Sequence, residues 1–138
     1  VPLPPNLPGL DARVARVESL PPGAEVALAE GGALVRWFEE VEGTAEVVER
    51  TEGGAPALLK AGGLSYLCGW PDARALRRLA WQAAEEAGLS PCEMPEGLRR
   101  KHAHDATIYL NYSPEPVEWV GNSIPPAGVL RVPRASQG

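Results

Sequence analysis

Between residues 13 and 70 apolar and polar positions alternate in short runs, each stopped by glycine or proline. That pattern predicts strands rather than helices. The runs are "RVARVESL" (13–20), "AEVALAE" (24–30), "ALVRWFEEV" (33–41), "AEVVER" (45–50), "PALLKA" (56–61) and "LSYLCGW" (64–70). Pro22-Gly23 suits the central pair of a type II turn, since proline presets φ at the first position and glycine accepts a positive φ at the second. Glu42-Gly43-Thr44 and Gly62-Gly63 read as hairpin connections between neighbouring runs. The opening "VPLPPNLPGL" carries four prolines and predicts an extended lead-in or linker, because proline withdraws backbone donors from helix and sheet alike.

The period then changes. In "PDARALRRLAWQAAEEAGLSP" the residues Leu76, Leu79, Ala80, Ala83 and Ala87 follow i, i+3, i+4, i+7 spacing and predict a helix over about 72–87 with one apolar face. Asp72 is the expected N-cap, Gly88 the left-handed C′ residue, and Pro91 blocks continuation. Trp81 falls off the apolar stripe beside Arg74, Arg77 and Glu85. It reads either as an indole under the Arg77 side chain or as an anchor against another domain or subunit.

Beyond Pro91 only strand patterns remain: "GLRRKHA" (97–103), "ATIYLNY" (106–112), "PVEWV" (116–120) and "GVLRV" (128–132). Ala106, Ile108, Leu110 and Tyr112 alternate with Thr107, Tyr109 and Asn111, as in a half-buried strand. The fold class expected is α+β. A sheet-rich part (1–91) with one clear helix precedes a small antiparallel β-sandwich-like domain (92–138).

The charge balance narrows the classes of partner. A net charge of −5 gives no basic face for a phosphate backbone, so no nucleic-acid partner is expected. Nine acidic residues between Glu18 and Glu52 are opposed only by Arg36 and Arg50, which reads as the solvated face of twisted strands or as an acidic docking surface. No apolar run approaches the roughly 20 residues of a membrane span, and no secretory signal pattern is seen. No membrane partner and a cytoplasmic location are expected. A chain opening on Val1, with Met94 as its one methionine, is expected to be a processed product or an excised piece.

Four features of the sequence bear on chemistry. His102, His104 and Asp105 form a His-x-His-Asp string, but zinc asks for three or four ligands, and the string sits between two strand patterns where a polar hairpin tip fits. Cys68 and Cys92 are not spaced as a Cys-x-x-Cys pair and read as separate buried or half-buried thiols. Glu39-Glu40 and Glu85-Glu86 are adjacent in sequence, so their side chains diverge and cannot face each other as an acid–base pair. Asn111-Tyr112-Ser113 matches a glycosylation sequon but is followed by Pro114 and reads as chance. There is no nucleophile elbow, phosphate loop or dinucleotide fingerprint. No catalytic residue, cofactor-binding residue or metal ligand is therefore expected, and no cofactor. Trp119, Tyr109 and Tyr112 are the aromatics with which a carbohydrate-binding β-module would stack on a sugar.

Taken together, "LPGLDARVARVESLPPG", the segment from "ALVRWFEEV" through "EEAGLSP", "PEGLRRKHAHDATIYLNYSPEPVEWV" and "IPPAGVLRV" resemble the C-terminal end of glycoside hydrolase family 42 β-galactosidases. The nearest likenesses are the strand–Pro-Asp–helix run 64–87, the approach Pro95-Glu96-Gly97, the "LNYS" strand end and the "PPAGV" turn. In that family a catalytic (β/α)8 barrel is followed by a trimerisation domain of flavodoxin-like or amidotransferase-like architecture and a terminal antiparallel β-domain. The resemblance implies that 1–91 is the back part of the trimerisation domain and 92–138 the β-domain. It implies that the two catalytic glutamates lie on a barrel this chain lacks, that galactoside meets only that barrel, and that the role here is assembly. The partners implied are further copies of the chain or the rest of a trimeric parent enzyme.

Overall fold

The computed structural model describes residues 7–133; residues 1–6 of the proline-rich lead-in lie outside them. The chain is sheet-rich, with twelve strands and one helix among the described residues, and every strand pairing is antiparallel. It divides into two compact units, one ending at Ser90 and the other beginning at Pro91.

In the first unit, β1 (Ala12–Ser19), β2 (Val26–Ala27), β3 (Ala33–Gly43) and β7 (Gly69–Pro71) form one sheet, with β3 at its centre. β4 (Glu46–Arg50), β5 (Pro56–Ala61) and β6 (Leu64–Leu67) form a second sheet in the order β4-β5-β6. Ala24 N donates to the Pro21 carbonyl over 3.0 Å, closing the turn at Pro22-Gly23. Ala61 pairs with Leu64, so Gly62-Gly63 makes a two-residue hairpin.

Three sequence expectations are corrected. The run 24–30 contributes only two residues of strand, because Val26 and Ala27 alone reach β3, while Leu28 turns inward and bridges Thr51. Glu42-Gly43-Thr44 is no hairpin: β3 ends against β1, and β4 belongs to the other sheet. Gly43 is at φ +142°, and a Cβ there would overlap the Asp11 carbonyl, which accepts both Thr44 N (3.1 Å) and Ala45 N (3.0 Å). Glycine serves this corner by allowing close backbone approach. Third, the run 64–70 is split at Cys68. Cys68 N donates to Ala57 O (2.8 Å) in the second sheet, while Cys68 O accepts Glu39 N (2.9 Å) in the first.

Two apolar clusters fill this unit. Leu28, Leu34, Phe38, Ala57 and Ala75 form one, and Leu10, Leu59 and Cys68 the other. The helix α1 (Ala73–Glu86) is capped as the sequence predicts, with Asp72 Oδ1 accepting from Ala75 N at 2.6 Å. At its C-terminus Gly88 N donates to Glu85 O and Leu89 N to Ala84 O, both 2.9 Å, the paired bonds of a Schellman motif. The face that packs is not the expected stripe. Ala75 is the helix residue in the core, Arg78 and Leu79 are partly covered, and Leu76, Ala80, Ala83 and Ala87 are exposed.

In the second unit, β8 (Leu98–His102), β9 (Ala106–Asn111) and β12 (Val129–Pro133) form a sheet in the order β12-β9-β8, and β10 (Val117–Trp119) with β11 (Asn122–Ile124) forms a separate hairpin. Directly paired residues share a face. The register therefore groups Leu98, Arg100 and His102 with Thr107, Tyr109 and Asn111, and with Leu130 and Val132. This is the packed side: Trp119 lies 6.2 Å from Tyr109 between ring centroids. The alternation expected for β9 does not hold: Ala106 and Asn111 are buried and the four residues between them half-buried, so both faces are partly covered, and Tyr112, expected on the same side as Ile108 and Leu110, is 72% exposed.

The β10–β11 hairpin turns through Val120 (φ +49°) and Gly121 (φ +71°). Two positive φ values describe a type I′ turn, for which Asn-Gly is preferred and a β-branched residue unfavourable. Val120→Asn is expected to stabilise the second unit by about 1 kcal/mol. Denaturant unfolding read from the fluorescence of Trp119, with the other three tryptophans replaced by phenylalanine, measures it.

Candidate functional site

The His-x-His-Asp string is a hairpin tip. His102 pairs with Thr107 in the β8–β9 ladder, and its Nδ1 lies 3.2 Å from Thr107 Oγ1. Ala103 N donates to Ala106 O at 2.8 Å, leaving His104 and Asp105 to make the turn. Asp105 is ion-paired with Arg131, whose guanidinium holds the carboxyl below the usual carboxylate range. Both histidines are exposed, and among the described residues no three His, Cys, Asp or Glu side chains gather as metal ligands would.

The adjacent carboxylates diverge, and each of the four has its own partner. Glu39 is buried and accepts from Tyr66 Oη at 2.5 Å, while Glu40 is exposed and faces Arg16 at 3.7 Å. Glu86 accepts from Lys60 Nζ at 2.7 Å, which lowers its pKa, and Glu85 accepts from the Trp81 indole N–H at 2.9 Å. Glu39 lies in register with Ala33, Val35, Trp37 and Val41, on the apolar parity of its strand. A carboxylate at such a position is the sequence signal that was missed.

Cys68 is fully buried and Cys92 exposed, and both are free thiols. Cys92 is thus more open than the half-buried thiol expected. Burial pushes the Cys68 thiol up to about 12, with the Glu39 charge adding to it. Burial also raises Tyr66 above the ordinary tyrosine range, and its bond to Glu39 adds to the rise. In the unfolded chain these groups ionise from about pH 9 and pH 10; in the folded chain they hold their protons. Stability is therefore intact below pH 9 and falls as pH climbs toward 12, with a slope of about 1.4 kcal/mol per pH unit for each proton. Urea midpoints at pH 8, 9.5 and 11 should show the decline, and Cys68→Ala should flatten its lower part. In the native protein one thiol, Cys92, should react with a colorimetric disulfide reagent, and two after unfolding.

A second buried carboxylate was not anticipated at all. Glu49, with its side chain 2% exposed, receives two bonds from Arg78, at 2.8 and 2.9 Å, and a third from Glu30 N at 3.2 Å. Arg78 also donates from Nε to Gly31 O at 3.3 Å. Arg78 Nη2, reaching both oxygens of Glu49, ties α1 to β4, and Nε ties it to the turn after β2, an arrangement that fixes geometry and leaves no carboxylate oxygen aimed at a cleft.

Two open cavities stand out. One, of about 430 Å³ in the second unit, is lined by Leu110, Tyr112, Pro114, Pro126, Ala127 and Val129 with Asn111 at its floor. Asn111 Nδ2 is engaged by the carbonyls of Glu115, Ile124 and Pro125 (2.8, 3.0 and 3.1 Å), and Oδ1 accepts Ser113 N at 2.8 Å. The sequon asparagine is thus buried and turned to the backbone. The other, of about 340 Å³, lies between the β5–β6 turn and the last turn of α1, lined by Lys60, Gly62, Gly63, Ser65, Ala83 and Ala87. Trp37 and Trp70 meet at 5.1 Å with Arg36 stacked on Trp70 at 5.2 Å, an aromatic–cation surface patch.

No protein-family model matches the chain. A β-galactosidase from Thermus thermophilus is 41% identical over an alignment of 115 positions that covers 79% of this chain and 17% of that protein. The crystal structure of a β-galactosidase from Marinomonas ef1 superposes with a TM-score of 0.75 at 26% identity, over 89% of this chain and 20% of the other. A GH42 β-galactosidase from G. stearothermophilus shares the fold, with a TM-score of 0.64 at 15% identity over 91% of this chain and 23% of the other. In sequence and fold the chain is similar to one part of β-galactosidase polypeptides, and it spans about a sixth of the length of the curated relatives it matches.

Proposed function

We propose that the chain is a non-catalytic C-terminal portion of a GH42-type β-galactosidase, serving assembly and structural support. The observation that carries this reading is the asymmetry of coverage: 79% of this chain aligns with only 17% of the Thermus thermophilus protein. Residues 1–91 are then the back part of a trimerisation domain of flavodoxin-like or amidotransferase-like architecture, and 92–138 a terminal β-domain of sandwich type. The parent hydrolyses terminal β-galactosides with retention, through two carboxyl groups on a barrel outside this sequence. Glu39 and Glu49, the buried carboxylates described above, support this division of labour, because a tyrosine and an arginine respectively occupy them. The partners are the rest of the parent polypeptide and further copies of it, in the cytoplasm.

The test is a pair of assays with a chromogenic galactoside. The isolated chain should show no turnover. A chimera in which it replaces the matched segment of the Thermus thermophilus enzyme should fold and hydrolyse the substrate. Turnover by the pure chain, or a chimera that fails to fold where the unaltered enzyme folds, would overturn the reading.

A second reading, a carbohydrate-binding β-module, draws on the exposed Tyr112 beside the larger cavity. It expects Tyr112→Ala to abolish a galactoside-dependent change in tryptophan fluorescence; an assembly role expects no such change.

A further inference from the structure

Helix α1 has two faces that ask for cover. At 100° per residue, Ala75, Leu79, Gln82 and Glu86 fall within one sector and Leu76, Ala80, Ala83 and Ala87 within another, about 100° around the axis. The first sector meets the chain's own sheets: Ala75 is in the core, Leu79 and Gln82 stand over Val48 and Leu58, and Glu86 holds Lys60. The second sector is the more apolar of the two, yet it is open. Leu76 is 57% exposed, and Leu89, just past the helix end, is 64% exposed. Ala83 and Ala87 of this stripe also form one wall of the 340 Å³ groove beside the Gly62-Gly63 turn, so stripe and groove are one continuous surface.

An apolar stripe on the outer side of a surface helix is unfavourable unless something covers it. From Leu76 to Ala87 it is roughly 16 Å long. One helix face of that length is well short of the roughly 800 Å² per partner that a stable intermolecular interface buries. A segment of the same polypeptide escapes that requirement, since a tethered partner avoids the loss of free translation and rotation. The relatives carry such chain in abundance, because the matched part is only 17% of one and 20% of another.

We infer that the Leu76–Ala80–Ala83–Ala87 face of α1 and its adjoining groove are an intramolecular interface, covered in the intact polypeptide by an apolar segment from outside this sequence. The inference rests on the function proposed above and adds the place where the rest of the parent chain docks. Neither a second copy nor an unrelated partner is needed.

The test labels a cysteine on the face. In a Cys92→Ser background, Ala80→Cys and, on the other side of the helix, Glu85→Cys are made in the isolated chain and in the Thermus thermophilus chimera. A maleimide should label both positions rapidly in the isolated chain. In the chimera Ala80→Cys should slow by about 100-fold or more, since labelling then requires local opening, while Glu85→Cys should be unaffected. Equal labelling of Ala80→Cys in the two proteins would overturn the inference while leaving the proposed function standing, provided the chimera folds and hydrolyses galactoside. A chimera that does not fold brings down both. Protection that appears in the isolated chain and grows with its concentration would assign the face to a second copy, and overturns the inference as well.

Discussion

Asn111→Ala is expected to unfold the second unit under conditions where the first remains folded. The Asn111 amide nitrogen serves three carbonyls from the loop after β9 and from the end of β11, and its oxygen receives Ser113 N. Alanine takes the side-chain partner from these groups in part-buried to buried places, although the Pro125 carbonyl keeps its bond from Gly128 N at 2.8 Å. Each stranded group costs about 1–3 kcal/mol, and water entering the gap recovers part of that, so the net loss should be about 3 kcal/mol or more. A 48-residue unit has little stability in reserve, because small domains bury a small share of their surface. Loss of the near-ultraviolet circular dichroism of the Tyr109–Trp119 pair, with the helix signal retained, is the expected readout. Asn111→Asp should be nearly as harmful, since a carboxylate cannot donate to three carbonyls.

The largest effect in the first unit should come from Glu49→Ala. It removes both acceptor oxygens from Arg78 Nη2 and strands a guanidinium whose side chain is 24% exposed. Breaking a buried pair from one side costs about 3–5 kcal/mol. The lower end is expected here, because Glu30 lies 3.5 Å from Arg78 and takes up some of the charge. Replacing both partners, Glu49→Leu with Arg78→Met, should cost much less, since no charge is left unpaired. A double-mutant cycle in urea measures the coupling; additivity of the two single changes would show that the ion pair contributes nothing beyond its separate parts.

These two positions also mark the limit of what could be read before the fold was known. Local chemistry was legible. Asp72 and Gly88 fixed the ends of α1, Gly62-Gly63 announced the β5–β6 hairpin, and Pro22-Gly23 gave its turn. The tip at His104-Asp105 followed from turn chemistry in the same way. What failed depended on partners far away in sequence. Glu42-Gly43-Thr44 has the composition of a hairpin loop, but Gly43 is required by the carbonyl of Asp11, 32 positions earlier. Periodicity found the apolar side of α1 but not which side the sheets would occupy. The sequon at Asn111 reads as chance, but nothing in the tripeptide says that its amide is taken by the carbonyls of Glu115, Ile124 and Pro125. Glu49 and Glu39 were passed over as surface charge. Both fall on the apolar parity of their strands, which calls for a buried partner, but nothing in sequence says that the partners are Arg78 and Tyr66.

Cys68 has a consequence for how the first unit comes apart. Its N–H belongs to one sheet and its C=O to the other, and the Glu39 N–H is held by that same carbonyl. Neither sheet can peel away from the other without breaking one of the two hydrogen bonds of this residue. The two sheets should therefore melt as one event, and the amide protons of Cys68 and Glu39 should exchange with solvent only through that shared opening, at one common rate far slower than those of the strand ends.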